Sequence, residues 1–291
     1  MPRLLIAGCG FLGEAAADFF ARTGWEVVAL TGSAESAARL AAKPYPVLPA
    51  DITRAESLAA LRTREGAFDH VLHCASSGRG GVEAYRKLYV EGCARLIEAF
   101  PEARLTFTSS TSVYAQTDGG WVTEQSTAAP ERETGRLLLD AERATLATGG
   151  CVLRLAGIYG PGRSVLLRKF CEGTAVLENG GGRWINQIHR DDAVRAIDAG
   201  LRNAAGGEIF NVVDDVPATQ RTVYGWIADF LGRPLPPDGP ADLQRKRGWT
   251  SKRVSNARLR ALGWMPEFPS YCAALPSVAG SVGVGEGDAV A

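Results

Sequence analysis

The sequence predicts an α/β fold, a doubly wound parallel sheet followed by a smaller C-terminal lobe. Short apolar and β-branched runs alternate with helical stretches over the first 155 residues, the order expected of parallel strands joined by crossover helices. A glycine-rich turn, AGCGFLG, stands between the first run and the first helical stretch. Beyond Leu155 the punctuation changes to turn-rich segments, GIYGPGR and NGGGR, and a second lobe begins near Tyr159.

Taken in order, strands are expected over 3–7, 26–30, 46–49, 70–73, 105–108 and 152–155. Helices fit between them over 11–22, 34–42, 55–63, 82–100 and 133–147. A helix over 191–201 and a strand over 209–213 follow. The first domain is expected to span 1–158, and the smaller lobe 159–275, with segments of about 186–214 returning to the first domain. GRPLPPDGP, 232–240, reads as a loop by composition. SNARLRALGW supplies a Ser/Asn cap, a short helix and Gly263 just past its end. From Pro276 the chain is rich in Gly, Val, Ala and Ser without periodicity, so 276–291 is expected to be a disordered tail.

Composition excludes several classes of function. Lys plus Arg number 32 and so do Asp plus Glu, which leaves no net field to draw the chain to nucleic acid or an anionic membrane. The opening apolar run is too short for a signal-peptide core, and no apolar stretch reaches the roughly 18 residues of a membrane span. A cytoplasmic protein is expected. The six cysteines are scattered, with no Cys-x-x-Cys pair and only the isolated His73-Cys74 neighbours, so neither a disulfide framework nor a metal site is predicted.

The residues that can carry chemistry sit where strands end. Gly8, Gly10 and Gly13 form Gly-x-Gly-x-x-Gly between a strand and a helix. The first permits a tight turn, the second lets backbone approach a pyrophosphate and the third lets the helix pack closely. Phe11 and Leu12 lie within the same loop, and the helix start attracts the anion. A dinucleotide site is expected there, against the alternative of a purely structural turn. The second strand ends Leu30-Thr31-Gly32-Ser33 with no carboxylate for the adenosine ribose, so NADP is slightly favoured over NAD, with Thr31 and Ser33 at the ribose and Arg39 the nearest arginine. Asp51 and Ile52 in PADI, and Cys74, Ala75 and Ser76 in HCASS, follow the third and fourth strands and complete the same cleft.

TFTSSTSVYA ends the fifth strand in hydroxyls. Read with GCGFLG, ADI, HCAS, RLAGIYGPG, IHRDDAVRAI, FNVVDDVP and SNARLRALGWMP, it resembles the extended short-chain dehydrogenase/reductases, the NAD-dependent epimerase/dehydratase family, over nearly the whole chain. The resemblance implies a Rossmann domain with a smaller substrate lobe, often dimeric, acting commonly on nucleotide sugars. It places a substrate-oxygen ligand at Ser110. The proton-transferring Tyr and the Lys four residues later fall on Thr134 and Leu138, and neither can do that work. VYA also replaces VYG at Ala115, and the glycine loop is one residue shorter than usual, so the chain looks like an atypical branch.

Two residues are weaker substitutes. Tyr114 could donate a proton, though packing is the favoured role, and His189 could face the cleft, though bonding to the helix start is favoured. Arg163, Arg190 and Arg253 are candidate ligands for substrate phosphates or sugars, against the alternative of solvated surface groups. The leading expectation is an NAD(P)-binding oxidoreductase or epimerase relative with non-standard catalytic residues. Its rival is a non-enzymatic NADP(H)-binding sensor or regulatory protein.

Overall fold

Seven apolar segments line up as one parallel sheet in a computed structural model that describes residues 1–78, 80–243 and 248–280. They include β1 (Arg3–Ala7), β2 (Glu26–Thr31), β3 (Val47–Pro49), β4 (His70–His73) and β5 (Arg104–Ser110). After them come a two-residue strand outside the sheet, β6 (Trp121–Val122), and then β7 (Cys151–Leu155). The seventh member of the sheet is Glu208–Val212, and the order across it is Glu208–Val212, β7, β5, β4, β1, β2, β3. Leu5 of β1 stands between Val28 and Val71, so the centre of the sheet is apolar and buried on both faces.

Chain order reverses between β1 and β4, and in a doubly wound sheet the crevice for a ligand opens at the carboxyl ends of such strands. Helix α1 (Phe11–Arg22) follows β1, buries Leu12, Ala16 and Phe20 at four-residue spacing, and carries Glu14 in its first turn and Arg22 in its last. Two further crossovers, α2 (Ala34–Arg39) and α3 (Ala55–Glu65), start and end within a few residues of the predicted bounds.

The helix expected over 82–100 is continuous from 82 to 99 but widens to a π-turn at Arg86–Glu91. Buried His73 of β4 accounts for the widening: its Nε2 lies 2.9 Å from the Leu88 carbonyl, which accepts the imidazole N–H. Burial pulls His73 down to about 4, so the ring is the neutral donor at ordinary pH.

A second apolar core gathers late residues. Leu167 and Phe170 come from Val165–Cys171, Val223, Ile227 and Leu231 from Gln220–Leu231, and Leu275 and Val278 from Tyr271–Ala279. These three helices were not read from the sequence. Ser164, Thr219 and Ser270 cap them, each accepting from a backbone N–H three residues on. The expected tail is corrected accordingly: residues 276–279 are helical with Val278 and Ala279 buried, while 281–291 lie outside the described residues.

The helix Arg190–Asn203 and the strand Glu208–Val212 pack with the first core through Val194, Ile197 and Phe210. Val254, Leu259 and Trp264 join that core too, although they follow most of the second one in sequence.

Candidate functional site

The glycine loop divides its labour among three positions. Gly8 has φ +109°, and a Cβ there would lie 2.4 Å from the Ala75 backbone after β4. A Cβ on Gly13 would lie 1.9 Å from the Gly8 carbonyl oxygen. A Cβ on Gly10 meets nothing within 4 Å. Two glycines therefore serve close packing, and the third borders open space at the start of α1, where no side chain caps the first-turn N–H groups. That space belongs to a cleft of about 900 Å³ walled by Gly8, Gly10, Phe11 and Leu12 on one side and Cys74, Ala75 and Ser76 on the other. Its shape and free amides suit an extended anionic ligand such as a dinucleotide. Cys9 and Cys74 also line it; burial pushes the Cys9 thiol up to about 11 and Cys74 higher still, so neither is a thiolate.

At the β2 end the wall is Thr31, Gly32, Ser36 and Arg39. Thr31 donates its hydroxyl to the Ser33 carbonyl at 3.0 Å. Ser33 is the cap of α2, accepting from Ser36 N–H at 3.2 Å, and does not line the cleft. In its stead stand Ser36 and Arg39, joined by a 3.0 Å bond from Arg39 Nη2 to Ser36 Oγ. The sequence held the signal, since positions three apart on a helix share a face. Asp51 and Ile52 also fall outside the wall. Asp51 Oδ1 accepts from Thr53 N–H and hydroxyl at 2.9 and 2.7 Å, and Ile52 is buried.

The three candidate arginines do not converge on one substrate. Arg163 and Arg190 both stand over the ring of Phe11, at 5.0 and 5.2 Å, so they flank the glycine loop, and Arg163 lines the cleft. Arg253 has another task. It lies between the rings of Trp121 and Trp184, 5.1 Å from each, and donates Nε to the Gly119 carbonyl, pinning the strand pair of Arg253–Val254 with β6.

Ser110 lines a second pocket of about 340 Å³ that shares Ala156, Gly157, Ile158 and Val165 with the cleft as a common wall. Its hydroxyl accepts from Ser112 N–H at 3.2 Å. Arg183, Asn186, Thr250 and Lys252 line the same pocket, and none was singled out from the sequence. Burial lowers Arg183, and burial with the like charge of Arg183 pulls Lys252 down to about 8. No motif marks either residue; only the fold brings 183 and 252 beside 110.

Thr134 and Leu138 are buried on the helix Glu133–Ala147 and line a separate small cavity of about 30 Å³ with Tyr85, Ser112 and Thr250. That volume holds about one water, not a phenol. The pair packs.

The surroundings of both weaker candidates fit a packing role for Tyr114 and a helix-start role for His189. Tyr114 is fully buried; its hydroxyl donates to Asn211 Oδ1 at 2.9 Å and accepts from Arg154 Nη1 at 2.8 Å. Arg154 in turn meets Glu142, which also accepts from Ser109 Oγ at 2.5 Å, so Tyr114 belongs to an interior network that meets the cleft wall at Ser109, while Tyr114 itself lines neither pocket. His189 is the cap of Arg190–Asn203: Nδ1 accepts from Asp191 N–H at 3.3 Å, and the ring packs 4.1 Å from Phe268. Burial lowers its pKa, keeping the ring neutral as an acceptor must be.

Comparison with known proteins agrees with this architecture. The chain is 28% identical to protein YeeZ of Escherichia coli strain K12 over 281 residues, 92% of this chain and 97% of that one. A Methylobacillus flagellatus protein provisionally assigned as an NAD-dependent epimerase/dehydratase superposes with a TM-score of 0.79 at 28% identity, covering 96% and 98% of the two chains. UDP-glucuronic acid 4-epimerase of Bacillus cereus, solved with UDP-glucuronic acid and NAD, has the same fold at a TM-score of 0.81 and 18% identity, over 96% and 98% of the chains. Among the described residues no helix is long and apolar enough to cross a membrane. The profile of the NAD dependent epimerase/dehydratase family matches residues 4–213, most of the chain and all seven strands of the sheet, and the chain belongs to that family.

Proposed function

We propose that the protein binds a nicotinamide dinucleotide along the ends of β1, β2 and β4 and uses it on a small polar substrate held against Ser110. The observation that carries this reading is the open space at Gly10, bounded by free amides of α1, in a cleft that shares a wall with the Ser110 pocket. Gly8, Gly13, Phe11 and Leu12 shape the pyrophosphate cradle, and Cys74, Ala75 and Ser76 give the opposite wall. The dinucleotide, when bound, accepts or returns hydride. Residues 1–158 would form the cofactor domain and 159–275 the substrate lobe, with 186–214 returning to the first.

NADP is favoured over NAD because Ser36 and Arg39, rather than a carboxylate, line the cleft beside Thr31 and Gly32. Two cations, Arg183 and Lys252, line the substrate pocket, which fits an anionic substrate. The Bacillus cereus neighbour carries UDP-glucuronic acid, so a nucleotide sugar is the substrate class to test first. All six cysteines are free thiols, as suits the cytoplasm, and a homodimer is the expected assembly by resemblance.

Titration with NADPH and NADH, followed by cofactor fluorescence, tests this. We expect both to bind, NADPH at least as tightly, and Gly10→Val to abolish binding without unfolding the chain. No binding by either nucleotide overturns the reading. Binding without turnover of any nucleotide sugar or simple carbonyl favours the regulatory reading, which the packed pair Thr134 and Leu138 supports.

A further inference from the structure

The wall that carries Thr134 and Leu138 has a titratable group beside it. Thr250 lines both the small cavity shared with that pair and the polar pocket of Ser110. Its hydroxyl accepts a hydrogen bond from Lys252 Nζ at 2.9 Å. Lys252 is 3% exposed and lines the polar pocket itself. Its amino group is thus bonded to a residue common to both cavities, and Lys252 and Ser110 line the same pocket.

Among the described residues no carboxylate pairs with Lys252. The charged group that acts on it is Arg183 from the same pocket, whose Nε lies 3.4 Å from Glu178 Oε2. Burial without a paired anion, together with the charge of Arg183, favours loss of a proton from the lysine, since a guanidinium does not give one up. The resulting titration, at about 8, leaves part of the amine neutral near physiological pH. A buried lysine in that state is a competent base.

We propose that Lys252 is the proton-transfer group of the polar pocket, taking the hydroxyl proton of a substrate bonded to Ser110 on oxidation and returning it on reduction. The proposal rests on the nicotinamide reading above. On oxidation the substrate O–H proton moves to the neutral amine, the adjacent C–H electron pair leaves as hydride to NAD(P)+, and a carbonyl forms. The ammonium then yields its proton to solvent.

Calorimetric titration of NADP+ at pH 8, in two buffers of different ionisation enthalpy, counts the protons released on binding. A positive nicotinamide ring bound at this pocket would further disfavour the ammonium, so the wild type is expected to release a fraction of a proton per site, and less with NADPH. Lys252→Met and Lys252→Arg are expected to release none, the arginine variant covering a failure of the methionine variant to fold. NADP+ binding with equal proton release in wild type and Lys252→Arg overturns the proposal and leaves the cofactor reading intact. No nucleotide binding removes the cofactor reading and this inference with it. With UDP-glucose and UDP-glucuronic acid as probes, Lys252→Ala should lose at least about 100-fold in turnover and regain part with added ethylamine. Turnover by Lys252→Arg at the wild-type rate also overturns the assignment.

Discussion

Arg154 and Glu142 face one another in the interior, Nη2 to Oε2 at 2.6 Å, with side chains 5% and 3% exposed. Neither ion has solvent to turn to if its partner is removed. Glu142→Ala is expected to cost about 3–5 kcal/mol, because it strands a buried guanidinium. Joint replacement by Leu at 142 and Met at 154 should cost less than the sum of the single changes, the Ser109 hydroxyl keeping a penalty of about 1–3 kcal/mol while Tyr114 retains its bond to Asn211. A double-mutant cycle in urea decides it, and strictly additive losses would show that the pair is not coupled.

The glycine loop separates stability from binding. Gly13→Ala forces a Cβ against the Gly8 carbonyl and is expected to destabilise by about 1–3 kcal/mol. Gly10→Ala meets open space, so its melting temperature should hold while NADPH affinity falls. Thermal melts alongside cofactor fluorescence test both. Equal destabilisation by the two changes would count against a ligand space at Gly10.

Arg39 lines the cleft and rests on Ser36, with no carboxylate bonded to it among the described residues. Its removal in Arg39→Ala is expected to weaken NADPH binding about 10- to 100-fold, the range of a charge-assisted bond, and to leave NADH nearly unchanged. The gap should narrow as salt is raised. Parallel losses for both nucleotides would place Arg39 away from the 2′-phosphate.

Asp214 sets a pH dependence of stability. Burial, then the charges of Asp215 and Asp192, hold its carboxyl well above the usual range. The folded chain therefore binds this proton more tightly than the unfolded chain, in which the group titrates at about 3.9. Its stabilising contribution is complete below that value and is lost as pH rises through the raised one. Asp214→Asn cannot ionise, so it should raise the melting temperature at pH 8 and change it little near pH 4. Melts across that window check the sign; a uniform shift would mean the gain is not electrostatic.

The sheet was legible because its strands are short, apolar runs with glycine or polar turns between them, and α1 and the helix Glu133–Ala147 fall at their predicted bounds. The three helices of the second core escaped because their cues are local and weak. Ser270 caps a helix that contains Pro276, a residue that reads as a stop. At the site, the wall next to the glycine loop was readable from spacing. Ser33 gave way to Ser36 because a serine that caps its own helix has already spent its acceptor on a backbone N–H. Arg183 and Lys252 could not be found, since nothing in a linear pattern tells a buried cation from a surface one; the register of distant loops does.

The interleaving of the two cores bears on how the chain emerges from the ribosome. Strand Glu208–Val212 covers the edge of β7, and Trp264 seals the same core with its indole N–H on the Asp192 carbonyl. Until those residues have been synthesised, β7 presents an unpaired edge of apolar residues, the kind of surface that recruits other strands. At roughly 5–20 residues per second, the hundred-odd residues between Leu155 and Trp264 take on the order of ten seconds. The cofactor lobe, though first in sequence, is thus among the last parts of the molecule to be finished, and a nascent chain stopped near residue 158 would be a sticky fragment with one side of its sheet open.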